Sequence, residues 1–523
     1  MGQDEMAGIQ LASVESRDRA SHPRSPVYSS ESPPEEASFI QKQTRTRRLF
    51  NEKQLFAFSL VYMGTWSAVP ANMYYSMYNG GPSAWFISYI VVVIGALFQC
   101  ATFGEIASIQ PIAGAQYFWT YHFAPRPTKR FLTWLQGWVT WTAYVATFAS
   151  SLNFGTAILE GLISLNYPGY EVVGWRTTLI SLASLMVIAL VNLYAFRIVP
   201  WFELLSGIVN ICIFLVFIIV FLVMAPKNSG EIITTSNVSS GWDNYYVASQ
   251  VGALSNIWLF TGFEAVIHMG EETKHAKKIV PRSLFWSIAT NAGLGFVMLI
   301  VTLFCMPPVD VILDAASPVV AILLYVTKST QATTALATFQ WFLSFSATMG
   351  NAASVSRLTW AWGRDGALPR YFGHVDGKYR IPFRAVLLTC FIVALLTLLN
   401  IGSETYIALG AITSLSSMAM YLSYAMVLAV VLYARLTSSI KFGPWNWGRY
   451  GTFINIAALV YSVYALIWLP FPQTLPVDGA NMNYSGPVLG AVLIFAISLW
   501  FIRMNIWQGP NRAIVDLVLR TGD

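Results

Sequence analysis

Charge is scarce in this 523-residue chain: 11% of residues are Asp, Glu, Lys or Arg, against 55% that are hydrophobic. That balance excludes an ordinary soluble domain. Cysteine is scarce too, and Cys100, Cys212, Cys305 and Cys390 all fall inside apolar runs, which argues against an extracellular disulfide framework. His22, His122, His268, His275 and His374 lack metal-ligand spacing, so no metal site and no cofactor are expected. The chain has no nucleophile–base set or nucleotide loop, which argues against an enzyme. No short apolar region precedes the first long one, so the first span itself is expected to serve as the targeting signal.

What the sequence does contain is about a dozen long apolar runs. At roughly 20 residues per crossing they predict an all-α membrane protein with twelve transmembrane helices. These lie near 55–75, 83–104, 131–158, 178–195, 202–225, 250–270, 284–307, 333–356, 384–401, 404–434, 452–470 and 487–507. With the N-terminus inside, only Arg176, Lys227 and Lys328 of the 31 Lys and Arg fall in outer segments. Positive charge accumulates on cytoplasmic loops, so both termini are expected in the cytoplasm. The net charge of +6 is then a topology signature and an attraction to the anionic lipid bilayer, with no case for nucleic acid. The sequons at Asn237 and Asn483 fall outside, where glycosylation is possible.

Residues 1–48 are polar and rich in Pro and Ser, the composition of a disordered tail. The expected organisation is that tail, a twelve-helix domain at 49–508 and a short cytoplasmic segment at 509–523.

Two runs are interrupted near their middle, by GTWSAVP at 64–70 and by FTGFEA at 260–265. An interrupted helix in lipid frees backbone groups that only protein, ions or a water-filled cavity can satisfy, so paired breaks point to a transporter's binding site. They fall in the first and sixth spans. Spans 1–5 and 6–10 therefore read as halves of opposite orientation, a leucine-transporter-type 5+5 inverted repeat with two additional helices.

At the first break, Gly64, Thr65, Trp66 and Ser67 are expected to unwind, with a half-helix restarting near Ala68 and Pro70 in its first turn. A packing notch between helices is the structural alternative. At the second, Phe260, Thr261 and Gly262 would present carbonyls beside Glu264. An ionisable residue at this depth costs a few kcal/mol, which points to function or pairing. Glu264 reads either as a substrate or proton contact or as a structural or gating residue. Trp138, Trp141, Tyr144 and Trp258 are further possible cavity aromatics, and Trp66 with Phe260 could cage an ammonium group.

Residues 77–119 contain Gly80, Gly81, Pro82, Glu105, Ser108, Pro111, Gly114, Tyr117 and Trp119 in an order similar to that of fungal amino-acid/choline permeases of the amino acid-polyamine-organocation superfamily. Ala115 replaces a glycine of that pattern. Gly262, Ala265, His268, Glu271, Glu272 and Pro281 resemble the family's sixth-span exit, with Glu264 where Asp is usual. Ser356, Arg357, Trp360, Arg364, Asp365, Gly366, Leu368 and Pro369 resemble its loop after span 8, and the likeness continues through Gly443–Gly451 and Met482–Tyr484. It implies plasma-membrane uptake of choline, 4-aminobutyrate, ethanolamine or an amino acid, coupled to protons. A transporter-like nutrient sensor is the alternative. Independently of that likeness, ion pairs among Glu271, Glu272, Arg357, Arg364 and Asp365 would close an inner gate, or these charges, like Glu105, merely mark the cytoplasmic side.

Overall fold

The computed structural model describes residues 49–510 apart from 316, 403, 404, 439 and 480. The expected tail at 1–48, and all but the first two residues of the segment at 509–523, lie outside the described residues. In chain order the helices are α1 (Glu52–Met63), α2 (Thr65–Ala71), α3 (Tyr74–Asn79), α4 (Gly81–Ile109), α5 (Ala115–Phe123), α6 (Lys129–Asn166) and α7 (Gly174–Tyr194). Next come α8 (Val199–Met224), α9 (Tyr245–Gly252), α10 (Leu254–Leu259), α11 (Ala265–His268), α12 (Ala276–Cys305), α13 (Val309–Leu313) and α14 (Pro318–Thr327). The last are α15 (Thr330–Arg364), α16 (Phe383–Thr397), α17 (Thr405–Thr437), α18 (Gly451–Trp468) and α19 (Ser485–Arg503).

Among the described residues, nine helices are long and apolar enough to cross a membrane: α4, α6, α7, α8, α12 and α16 to α19, some lengthened by an adjoining turn. The other three predicted spans differ for identifiable reasons. Those at 55–75 and 250–270 are divided into α1–α2–α3 and α9–α10–α11. That at 333–356 lies within the 35 residues of α15. Its Gln340, Ser346, Thr348, Asn351 and Ser354 are buried, so it is less apolar than helices facing outward.

The 38 residues of α6 form the central post, roughly 57 Å long, packed along α15 and α17. On the other side α4 packs against α12 and α18, while the broken first span lies between α8 and α12. Leu205, Ile208 and Ile219 of α8, Phe391 of α16, Val460 of α18 and Ile494 of α19 are exposed. A hydrocarbon surrounding makes that arrangement favourable, since backbone polar groups are satisfied inside each helix.

Close helix contact depends on small residues. A Cβ on Gly137 of α6 would enter the indole ring of Trp362 on α15. Gly137→Ala is therefore expected to cost about 1–3 kcal/mol through overpacking, read as a lower melting temperature in detergent. The same substitution in a Trp362→Phe background should cost measurably less.

Candidate functional site

The first break is confined to Gly64, which takes the left-handed conformation at φ +48° and ends α1. The chain resumes helix immediately at Thr65, because the Asn291 side chain on α12 accepts from the Thr65 N–H at 3.1 Å. Asn291 also donates to the Leu60 carbonyl at 3.3 Å, so one amide bridges the gap. Two more amides hold the next residues. The Trp66 indole N–H donates to Asn210 Oδ1 of α8 at 2.9 Å, and Gln340 of α15 donates to the Ser67 carbonyl. The expected restart near Ala68 is thus three residues too late, and Pro70 lies in the last turn of α2 rather than the first. Lacking the N–H that would reach the Trp66 carbonyl, Pro70 weakens the turn, and the chain breaks again at Asn72 and Met73.

In the second broken span the helix stops at Leu259 and resumes at Ala265. Gly262 adopts φ +78°, and its N–H donates to the Tyr424 hydroxyl of α17 at 2.9 Å. That hydroxyl donates in turn to Glu264. Gln116 of α5 and Tyr144 of α6 add donors at 2.7 and 2.8 Å, so three separate helices converge on one fully buried carboxylate. All three donors are neutral. The two breaks meet at Tyr62: a Cβ on Gly262 would lie 3.0 Å from its hydroxyl. Beside this junction Tyr62 OH, Thr65 Oγ1, Asn210 Nδ2, Gln340 Oε1 and His268 Nε2 are buried without hydrogen-bond partners. Each costs about 1–3 kcal/mol unless something polar meets it.

The remaining aromatics are dispersed. Trp66 is fully buried against Phe214 and Phe217, whereas Phe260 packs on Tyr89. No ring contact joins Trp66 to Phe260 among the described residues. Trp138 belongs to a cluster with Trp134 and Trp362, and Trp141 donates to Thr359 at 2.9 Å. Trp258 packs on Phe154. At the sequons, Asn483 donates to the Leu469 and Phe471 carbonyls at 2.8 and 3.0 Å, and Asn237 donates to Ser239 at 3.2 Å.

The charged residues assemble at the end of the bundle where the breaks' flanking segments emerge. Arg357 meets Glu272 at 2.9 Å, both almost wholly buried, and lies 3.8 Å over the Phe196 ring. Arg364 meets Glu271 at 3.2 Å, and Tyr117 donates to Asp365 at 2.7 Å. Glu105 pairs with Arg435 and accepts from the Trp447 N–H at 2.7 Å. Backbone alone ties the two broken spans here: Leu49 and Phe50 donate to the Glu272 carbonyl, and Lys274 donates to that of Phe50.

Sequence reasoning missed Asn210, Asn291 and Gln340, although an amide inside an apolar run was a usable signal. It also missed Tyr117, Gln116, Tyr424 and Arg435 as partners.

Comparison with known proteins places this architecture. The sequence profile described as "Amino acid permease" matches residues 51–502. The chain is similar to amino-acid permease 2 of Neurospora crassa, 27% identical over 496 residues, covering 91% of this chain and 89% of that one. It is similar to the choline transporter of Saccharomyces cerevisiae, 24% identical over 468 residues, with 88% and 82% covered. The GABA-specific permease of the same yeast is 26% identical over 495 residues, with 90% and 84% covered.

Two outcomes follow from this geometry. Arg357→Met strands a buried carboxylate and should destabilise the fold by about 3–5 kcal/mol, with Glu272→Gln in the same chain restoring much of the melting temperature. Gly64→Leu forces a branched side chain into the left-handed region between the amide clamps, and solute binding measured by calorimetry should disappear while the protein remains in the membrane.

Proposed function

Because the chain belongs to the amino acid permease family, we propose that this transporter of amino acids or amines is a secondary active permease. It takes up a small amine-bearing solute such as choline, 4-aminobutyrate or an amino acid, by alternating access and with a proton as coupling ion. The carrying observation is Glu264. It is the only formally charged residue in Gly64–Ser67 and Phe260–Glu264, and it is supplied by neutral donors alone. Its negative field favours a cationic amine beside Tyr62, Thr65 and the two breaks. At the solute's other end the free Nδ2 of Asn210 can donate to a hydroxyl or carboxylate, and the free Oε1 of Gln340 can accept from a hydroxyl. Trp66, committed to Asn210, acts in this reading as a wall of the site rather than as half of an aromatic cage.

Twelve spans result when α1–α3, α9–α11 and α15 are added to the nine apolar helices. The packing supports a 5+5 repeat, because equivalent members of the two halves face one another: α4 with α12, α6 with α15, and α7 with α16. The broken spans exchange partners in the same manner, α1 and α2 packing on α12 while α9 and α10 pack on α4. The distribution of Lys and Arg supports cytoplasmic termini, with a tail at 1–48, a permease domain at 49–508 and a terminal segment at 509–523. The plasma membrane is the proposed location.

The test is uptake of labelled choline, 4-aminobutyrate, ethanolamine and amino acids into vesicles holding the purified protein, with and without an inward proton gradient. Saturable uptake of at least one solute, accelerated by the gradient, is expected. Binding without flux would instead make the protein a nutrient sensor. Glu264→Gln keeps the size and hydrogen-bonding capacity but removes the charge, and should weaken binding of the transported cation or zwitterion at least about tenfold, or about 1.4 kcal/mol. Unchanged affinity and pH profile would leave Glu264 a purely structural role.

A further inference from the structure

A second buried carboxylate lies away from this junction. Glu203, in the first turns of α8, is 1% exposed, and its Oε1 has no hydrogen-bond partner. The one hydroxyl beside it, that of Ser346 on α15, is shared between the Glu203 carboxylate and Ser206, to which it donates at 3.0 Å. The carboxylate faces the seam between α8, α15 and α1: a Cβ on Gly350 would lie 3.6 Å from Oε1 and 3.3 Å from the Phe58 ring.

The charged groups on the surrounding elements are committed elsewhere or lie at the surface. On α1, Glu52 pairs with Arg282 of α12 at 3.1 Å, and Lys53 is exposed. On α15, Arg357 and Arg364 are held by Glu272 and Glu271. On α12, Lys278 is exposed and Lys277 partly so, and Arg197 in the turn before α8 is exposed. The remaining titratable groups on the packed elements, Tyr62 of α1, Cys305 of α12 and Tyr325 of α14, form no ion pair with it. Glu264 and Glu203 therefore differ: the first has three neutral donors, whereas the second has a single hydroxyl, that of Ser346, and an Oε1 with no partner.

We propose that Glu203 is a proton-binding site separate from the solute junction, and that its proton is linked to opening of the cytoplasmic end. With the seam shut, a buried carboxyl that has one neutral hydroxyl beside it and no cation keeps its O–H, which spares it an unpaired buried charge. When the inner half of span 1 moves off α8 and α15, water reaches the group and the proton leaves to solvent. Reclosure requires a proton to be taken back. The sign follows: low cytoplasmic pH favours the shut seam, and rising pH favours opening. The consequence for flux rests on the alternating-access reading above, whereas the proton itself does not.

The experiment therefore has two readouts. Infrared difference spectra of the purified full-length protein after a pH jump should show the carbonyl band of a protonated carboxyl that is absent in Glu203→Gln and retained in Glu264→Gln. In vesicles, exchange of whichever panel solute the wild type carries should vary with inner pH by up to about tenfold per unit, and Glu203→Gln should lose that slope while still binding the solute. A band unaffected by Glu203→Gln, or an unchanged pH profile, overturns the proposal. If the wild type carries no solute of the panel, the transport reading fails and the spectra alone decide on Glu203. Should Glu203→Gln not fold, Ser346→Ala is expected to shift the same band, and an unmoved band overturns the assignment.

Discussion

An interrupted helix within a bilayer has backbone groups that protein, ions or cavity water must satisfy, and the structure around both breaks depends on which protein groups do so. At Gly64 the answer is side-chain amides from α12 and α15, while a third from α8 holds the Trp66 indole. At Gly262 it is the Tyr424 hydroxyl, which in turn donates a hydrogen bond to Glu264. These partners are uncharged, so the interruption is stabilised without fixed ions that would compete with a charged solute. Each clamp also belongs to a different helix, so a relative movement of helices changes the local backbone at both breaks together.

The charged end obeys different physics. Buried ion pairs return little net stability because desolvation offsets attraction, yet breaking one partner away is costly. Arg357 and Glu272 retain unpartnered atoms, Nη2 and Oε2, despite their burial. An incompletely satisfied pair carries a smaller penalty for release to water than a fully bonded one would. This suits a contact that is made and broken repeatedly.

Much of the fold was legible from the sequence because the bilayer imposes length and composition on every helix. The positions of the two interruptions were legible for the same reason, since GTWS and FTGFE dilute otherwise apolar runs. Their local form was not. The restart at Thr65 depends on Asn291, 226 residues away, and no pattern within the first span encodes that partner. The contact between Glu105 and Arg435 spans 330 residues and has the same origin. Trp66 could be assigned to the neighbourhood of the break but not to a direction, because a Trp next to a glycine can turn to either side. Here the acceptor on Asn210 and the rings of Phe214 and Phe217 draw it toward α8.

The backbone clasp between Leu49–Phe50 and Glu272–Lys274 joins the two halves of the chain using peptide groups alone. Its hydrogen bonds demand nothing of the side chains, so the residues at these positions can drift in size and polarity while the latch keeps its strength. Such a fastening leaves no signature in a sequence comparison.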